Sequence, residues 1–336
     1  MKKSVIKGTG RALPTRLVTN TDLEKIMETS DEWIRQRTGI EQRYWVEENE
    51  IKGASDLGYE ASVKAIEKAG WEASDIDMII FATLSPDIFF PGSGCLLQAK
   101  LDLKSTPALD IRQQCTGFLY GMTTADAFIK SGMYEKILFV GAEIHSTGLD
   151  KTTRGRDVAV LFGDGAAAVC LEAEEGDPDS GILASMLHAD GRDAESLATE
   201  LPASRLPNRL PLERLQIGDG QYPTMDGKTI FKKAVKKLPQ VTYKTLEKAG
   251  LTLDDIDLII PHQANLRINQ AYQEILKVPE EKVYNNIQRY GNTTAASIPL
   301  ALDEAVENGL IGKQGDTVLF SGFGAGLTWG CVIYRF

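Results

Sequence analysis

Residues 64–80 read KAIEKAGWEASDIDMII, and residues 244–260 read KTLEKAGLTLDDIDLII. The two stretches lie 180 residues apart and agree at 10 of 17 positions without a gap. Each reads as the end of an amphipathic helix, a glycine C-cap, a polar turn and a buried strand, Met78–Phe81 in the first and Leu258–Ile260 in the second. A second echo follows. Ser131-Gly132-Met133-Tyr134-Glu135 leads into a strand at Lys136–Val140, and Asn308-Gly309-Leu310-Ile311 leads, a few residues on, into Thr317–Phe320. A common strand–helix element used twice would produce one such match. Two in the same order point to a duplicated α/β half, residues 1–175 and 176–336. Strands and helices alternate within each half, which favours sheets covered by helices on both faces.

Composition sets the outer bounds. The chain has 336 residues, 43% apolar and 25% charged, enough for a sizeable core and too apolar for disorder. Its 37 Lys+Arg against 47 Asp+Glu leave a net charge of −10, which argues against nucleic acid or an anionic membrane as the main partner. No apolar run approaches the ~18 residues of a membrane helix. The basic Met1-Lys2-Lys3-Ser4 is followed by no apolar stretch of a secretory signal, so a cytoplasmic location is expected. The four cysteines, Cys95, Cys115, Cys170 and Cys331, form no metal-ligand spacing with histidine, and no metal is expected. Between the halves, Glu195–Tyr222 carries Pro202, Pro207 and Pro211 and then Gly218 and Gly220, and reads as a long ordered loop or lid.

Three places carry candidate chemistry. In Asp110-Ile111-Arg112-Gln113-Gln114-Cys115-Thr116-Gly117, a short strand (Ala108–Ile111) turns into a long apolar helix starting near Cys115. A thiol there faces the positive end of a helix dipole, which favours thiolate, and the first-turn N–H groups can hold an oxyanion. The alternative is a buried structural cysteine. In Pro261-His262-Gln263-Ala264-Asn265, His262 follows a repeated strand at the edge of a crevice. The alternative is a satisfied core histidine. Of the other two histidines, His145 has no evident partner and His188 sits in an apparent turn. In Tyr290-Gly291-Asn292-Thr293-Thr294, a loop runs into a helix that is the second half's counterpart of the Cys115 helix start. The alternative for Asn292 is an ordinary N-cap. Duplication would bring the two helix starts together near a pseudo-twofold axis, with Cys115 from one half and His262 and Asn292 from the other. The glycine run Gly322–Gly330 permits close backbone approach to a ligand.

Taken with Thr29-Ser30-Asp31-Glu32-Trp33-Ile34, Arg37-Thr38-Gly39-Ile40 and Phe162-Gly163-Asp164-Gly165-Ala166, these motifs resemble β-ketoacyl-acyl-carrier-protein synthase III, a condensing enzyme of the thiolase superfamily, nearly end to end. The resemblance implies the thiolase fold, an α/β architecture of duplicated βαβαβαβ halves in five layers, αβαβα. It implies a decarboxylative condensation of an acyl-CoA with malonyl-acyl-carrier protein, initiating fatty acid synthesis and requiring no cofactor. Cys115 would accept the acyl group, His262 and Asn292 would drive decarboxylation, and the N–H groups of Cys115 and Ala325 would form the oxyanion hole. Trp33, Arg37 and Arg156 match coenzyme A contacts, with Arg154 close enough to blur the last. Phe90 and Met225 match the starter pocket, Phe90 crossing the interface of a homodimer.

The acidic carrier implies a basic landing site. Lys232, Lys233, Lys236 and Lys237 share a helix face by spacing, and Lys232 and Arg267 match basic positions near the family's tunnel mouth, so Lys232, Lys236 and Arg267 are the expected docking residues. The chain departs from the pattern at Glu274 and Ile275, where adjacent lysines are common, and at Arg112-Gln113-Gln114, where small residues are usual. The first departure bears on carrier docking; the second, with the long Glu195–Tyr222 segment, suits a starter other than acetyl, or a specialised pathway. Two other classes remain open on the residues alone: an acyltransferase that moves the Cys115 acyl group to an amine or alcohol without decarboxylation, and a catalytically silent acyl-binding protein.

Overall fold

The repeated stretch folds the same way twice, and its residues show why. The computed structural model describes residues 2–176 and 179–336. Helices Ala54–Ala69 and Gly227–Ala249 each end at a left-handed glycine, Gly70 and Gly250, both at φ 68°, whose N–H closes back on the last turn. A short 3-10 turn follows in each case, Ala73–Asp75 and Leu253–Asp255. The first aspartate of each Asp-Ile-Asp caps that turn by accepting the N–H of Glu72 or Thr252. The second aspartate, Asp77 or Asp257, accepts the N–H that opens the neighbouring strand, Lys136 or Thr317. The isoleucine between them is buried. The repeated residues therefore fix the helix end, the turn and the strand register in one unit.

The strands form two large sheets. The first runs, edge to edge, Lys2–Ala12, Gly165–Glu175, Lys136–Glu143, Met78–Ala82, Ala108–Ile111. The second runs Gly181–Ala189, Thr328–Arg335, Thr317–Gly324, Leu258–Pro261, with Val283 bridging in parallel to Ile259 where a fifth strand would lie. The central parallel pairs match in register: Ile79 sits opposite Leu138, and Ile259 opposite Leu319.

Side-chain alternation divides the core into layers. Ile80, Phe139, Ile260 and Phe320 point inward and pack with Phe118, Met122, Ile298 and Leu302 of helices Gly117–Lys130 and Ser297–Glu307, which lie between the sheets. Ile79, Phe81, Leu138 and Val140 point outward onto helix Ala54–Ala69. Ile259 and Leu319 point outward into the cluster of Leu238, Val241 and Tyr272, from helices Gly227–Ala249 and Leu266–Leu276. The result is helix, sheet, helix pair, sheet, helix: the five-layer thiolase fold.

The terminal strand Thr328–Arg335 buries Cys331. His188 departs from expectation. It lies within the strand Gly181–Ala189, opposite Trp329, and its ring stacks on that indole at 5.3 Å. A local Asp-Gly signal at 190–191 suggested a turn, but the turn begins only after the strand has paired. Glu195–Tyr222 is ordered. Its strand Leu197–Ala198 pairs with Thr224–Met225, and a short helix spans Leu212–Gln216. Among the described residues, no helix is long and apolar enough to cross a membrane.

Candidate active site

Two helix starts meet at the centre. In the first half, Gln114 adopts a left-handed φ of 44°, a 3-10 turn covers Gln114–Thr116, and the helix begins at Gly117. In the second, Thr294 adopts φ 48°, a 3-10 turn covers Thr294–Ala296, and the helix begins at Ser297. Left-handed backbone at a β-branched residue is strained, so the surrounding packing must hold it. Each turn packs beneath a glycine of the other half's sheet. A Cβ on Gly322 would lie 3.3 Å from the Cys115 carbonyl oxygen, and one on Gly141 would lie 2.4 Å from that of Ala295.

Cys115 is buried against the glycine run. A Cβ on Gly324 would come within 2.4 Å of its sulfur, so only glycine leaves room there. The backbone N–H groups of Ala325 and of Cys115 itself reach the sulfur. Burial nevertheless dominates and, with the Glu143 carboxylate adding to it, pushes the thiol up to about 12. The resting thiolate expected from the helix dipole is thus corrected. The group is a neutral thiol, because desolvation outweighs the N–H donors.

His262 follows the strand Leu258–Pro261 and is 4% exposed. Its Nδ1 lies 2.6 Å from Ser297 Oγ, and its buried Nε2 has no partner. Burial lowers it to about 3, so the ring is neutral at pH 7. Asn292 Oδ1 accepts the N–H of Thr294 at 2.9 Å, which commits the oxygen and leaves the amide NH2 to donate. Asn292 also bridges in parallel to Phe162. Gln263 of the same motif is structural. Its amide bonds the Pro261 and Tyr284 carbonyls and the Asn286 and Ile287 N–H groups. The other buried histidine, His145, has the partner that sequence did not reveal: its Nε2 meets Thr294 Oγ1 at 2.8 Å.

Cys115, His262 and Asn292 line one cavity of about 390 Å³, together with Gly322, Phe323 and Gly324. Arg37, Lys228, Asn265 and Arg267 line the same cavity. Cys115 also opens onto a second cavity of about 780 Å³, walled by Leu84, Phe89, Ile144, Leu149, Ala325 and residues of the Glu195–Tyr222 segment. Leu197 and Phe162 line both. The sulfur therefore stands between two chambers.

The remaining expected residues are distributed around them. Trp33 is held between two guanidiniums, Arg37 at 4.7 Å and Arg156 at 4.6 Å from its ring centroid. Arg154 is engaged elsewhere, on Asp150 and the Ile217 carbonyl. Met225 lines the smaller cavity rather than the larger. Phe90 lines neither and is 76% exposed. Lys232, Lys236 and Arg267 are exposed. The shared lysine face is narrower than its spacing suggested, because Lys233 pairs with Asp193 and Lys237 lies 4.4 Å over the Trp329 ring. Three residues escaped sequence reasoning as site residues: Ser297, Thr294 and Glu143. The repeat offset of 180 could have found Ser297, the counterpart of Gly117; nothing local marks Glu143.

The sequence pattern of 3-oxoacyl-[acyl-carrier-protein (ACP)] synthase III matches residues 109–191, and that of its C-terminal part matches residues 246–336. The chain is 46% identical over 330 residues to the β-ketoacyl-[acyl-carrier-protein] synthase III of Geobacillus kaustophilus, covering 98% of both chains. It is 44% identical over 336 residues to that of Fusobacterium nucleatum, covering 100% of this chain and 99% of the relative. The crystal structure of 3-oxoacyl-[acyl-carrier-protein] synthase III from Aquifex aeolicus superposes with a TM-score of 0.89 at 42% identity, covering 100% of both chains.

Proposed function

From the premise that the chain belongs to the β-ketoacyl-[acyl-carrier-protein] synthase III family, we propose how its residues carry out the condensation that initiates fatty acid synthesis. Cys115 attacks the thioester of an acyl-CoA. The acyl–sulfur bond to coenzyme A breaks as the bond to Sγ forms, and the thiol proton leaves, in net, on the CoA sulfur. Splitting the transfer in this way is covalent catalysis. Malonyl-carrier thioester then enters the cavity and loses CO2, leaving an enolate whose charge rests on the thioester oxygen. His262 Nε2–H and the Asn292 NH2 donate to that oxygen. The enolate carbon attacks the acyl-Cys115 carbonyl. The N–H groups of Cys115 and Ala325 hold the tetrahedral oxyanion, which collapses to the β-ketoacyl product and returns the sulfur to a thiol with a proton from solvent. Each such donor contributes roughly 3–4 kcal/mol. The chemistry draws on protein groups and the two thioesters, so the route invokes no cofactor or metal.

The carrying observation is that a buried sulfur, an unpartnered imidazole nitrogen and a free amide NH2 share one cavity. The smaller cavity is read as the pantetheine passage, with Trp33, Arg37 and Arg156 at the nucleotide end. The larger is read as the starter pocket, and its size suits an acyl chain of several carbons. Lys232, Lys236 and Arg267 offer positive charge to the carrier. The apolar Ile88, Phe89 and Phe90 are exposed, and Leu109 lies on the unpaired edge strand Ala108–Ile111, which supports a homodimer across that edge. We assign the halves as 1–175, bearing the nucleophile, and 176–336, bearing the two donors, and the location as cytoplasmic.

The test is intact mass after exposure to a panel of acyl-CoAs, followed by a malonyl-carrier chase. The expected result is an adduct on the wild type and not on Cys115→Ala, lost during the chase with release of CO2 and β-ketoacyl-carrier. An adduct that transfers without CO2 would identify a plain acyltransferase. No adduct with any acyl-CoA would reject the enzyme reading.

A further inference from the structure

His262 is useful as a donor only if its single proton sits on Nε2. A neutral imidazole carries that proton on either nitrogen, and the partner of the other nitrogen decides which. Here that partner is the Ser297 hydroxyl, 2.6 Å from Nδ1 and 2% exposed. The Gln263 backbone N–H points at the same oxygen from 3.5 Å. Among the described residues, no carbonyl or carboxylate oxygen competes for the serine proton. With an N–H approaching its lone pair, the hydroxyl directs its one proton to Nδ1. Nδ1 is then an acceptor, and the imidazole proton is left on Nε2, which is buried, unpartnered and faces the cavity of Cys115 and Asn292.

The duplication supplies an independent sign that serine and histidine act as a pair. The counterpart of His262 in the first half is Ala82, and the counterpart of Ser297 is Gly117. A Cβ on Gly117 would touch the Ala82 Cβ at 3.0 Å, so the two positions face each other in both halves. In the half without the donors, both polar groups are absent together.

We propose that Ser297 is a positioning residue that holds His262 in the Nε2–H tautomer. This rests on the reading of His262 as an enolate donor. With the opposite tautomer, a lone pair would face the developing negative charge, and His262 would act as a base instead.

The experiment uses the full chain labelled with 15N-histidine. Long-range 1H–15N spectra at pH 7 report the tautomer of each of the three rings, with His262 assigned by its disappearance in His262→Ala. The wild type is expected to show an unprotonated Nδ1 and a protonated Nε2. Ser297→Ala is expected to mix or reverse the tautomers. It should also slow malonyl decarboxylation at least about tenfold, the effect of losing a well-aligned donor, while Cys115 acylation stays within about twofold. Ser297→Thr, which keeps the hydroxyl, should restore both spectrum and rate. A wild-type His262 protonated on Nδ1 overturns the proposal without any variant having to fold. It is equally overturned if Ser297→Ala keeps the wild-type spectrum and rate, or loses acylation and decarboxylation in parallel with the tautomer unchanged. A wild type that never decarboxylates malonyl thioester rejects the functional reading instead, and leaves the tautomer result standing.

Discussion

The turns at Gln114–Thr116 and Thr294–Ala296 share a backbone shape, a left-handed first residue, and a place at the head of a central helix. Their chemistry is opposite. At the first, Cys115 faces Gly324, and the emptiness of that glycine leaves the sulfur open to two chambers. At the second, Ala295 stands in place of the cysteine, and Glu143 stands in place of the glycine. The Glu143 carboxylate fills the space and accepts the N–H groups of Ala295, Leu84 and Ser85 and the hydroxyls of Thr83 and Ser85. Burial raises that carboxyl to about 7. One copy of the duplicated turn is open to two cavities, and the other is closed by an internal carboxyl group. What is left out opposite a helix start decides whether it opens onto a cavity as much as the side chain it carries.

The comparison is broken most severely by filling the open copy. Gly324→Ala should lower Cys115 acylation on the order of 100-fold, the cost of displacing a reacting atom by about 1 Å, and should also cost about 1–3 kcal/mol of stability, because the added Cβ would lie 2.3 Å from the Cys115 Cβ, which no rotamer can move away. Gly141→Ala, the mirror change, meets backbone at Ala295 and should cost about 1–3 kcal/mol of stability. Acyl-CoA adduct rates and denaturant midpoints for the two variants give the contrast; identical profiles would refute it.

Acid provides a second contrast. His145 and His262 are each lowered by burial to about 3. The unfolded chain takes up protons below about 6.5 while these folded rings do not, so stability is lost as pH falls through that value. Each should cost about 2 kcal/mol between pH 7 and pH 5. His145→Gln, measured by denaturant unfolding at both pH values, should lose about 2 kcal/mol less than the wild type. Equal losses would mean that burial does not hold this ring neutral.

A smaller effect crosses the axis. At pH 8 the Glu143 carboxylate is charged and opposes the Cys115 thiolate. Glu143→Gln should therefore raise the rate of Cys115 alkylation by iodoacetamide at that pH. An unchanged rate would separate the two copies electrostatically. The smallest expected effect is at the surface. Lys232→Glu should raise KM for malonyl-carrier about fivefold, in the range of an exposed ion pair, and leave acyl-CoA use alone. An equal effect on both substrates would place the damage in the pocket.

The fold was legible because one repeated stretch encodes several contacts at once. Gly70 and Gly250, Asp77 and Asp257, and the buried isoleucines carry helix end, strand start and register in consecutive residues. The convergence of Cys115, His262 and Asn292 on one cavity was legible because their positions follow repeated strands and helix starts. What sequence did not reveal depends on contacts across the axis. The ionisation of Cys115 is set by burial, the polarity of His262 by Ser297 35 residues away, and the closed copy by Glu143, which meets Ala295 from 152 residues away. His188 misled because a turn dipeptide lies just past the end of a paired strand.

The division of labour between the halves is tested most directly by CO2 release from malonyl-carrier in variants that cannot be acylated. Cys115→Ala alone should still decarboxylate, since the donors belong to the other half. Adding His262→Ala or Asn292→Ala should abolish the release. Decarboxylation that vanishes with Cys115→Ala alone, or survives in either double variant, would contradict the account.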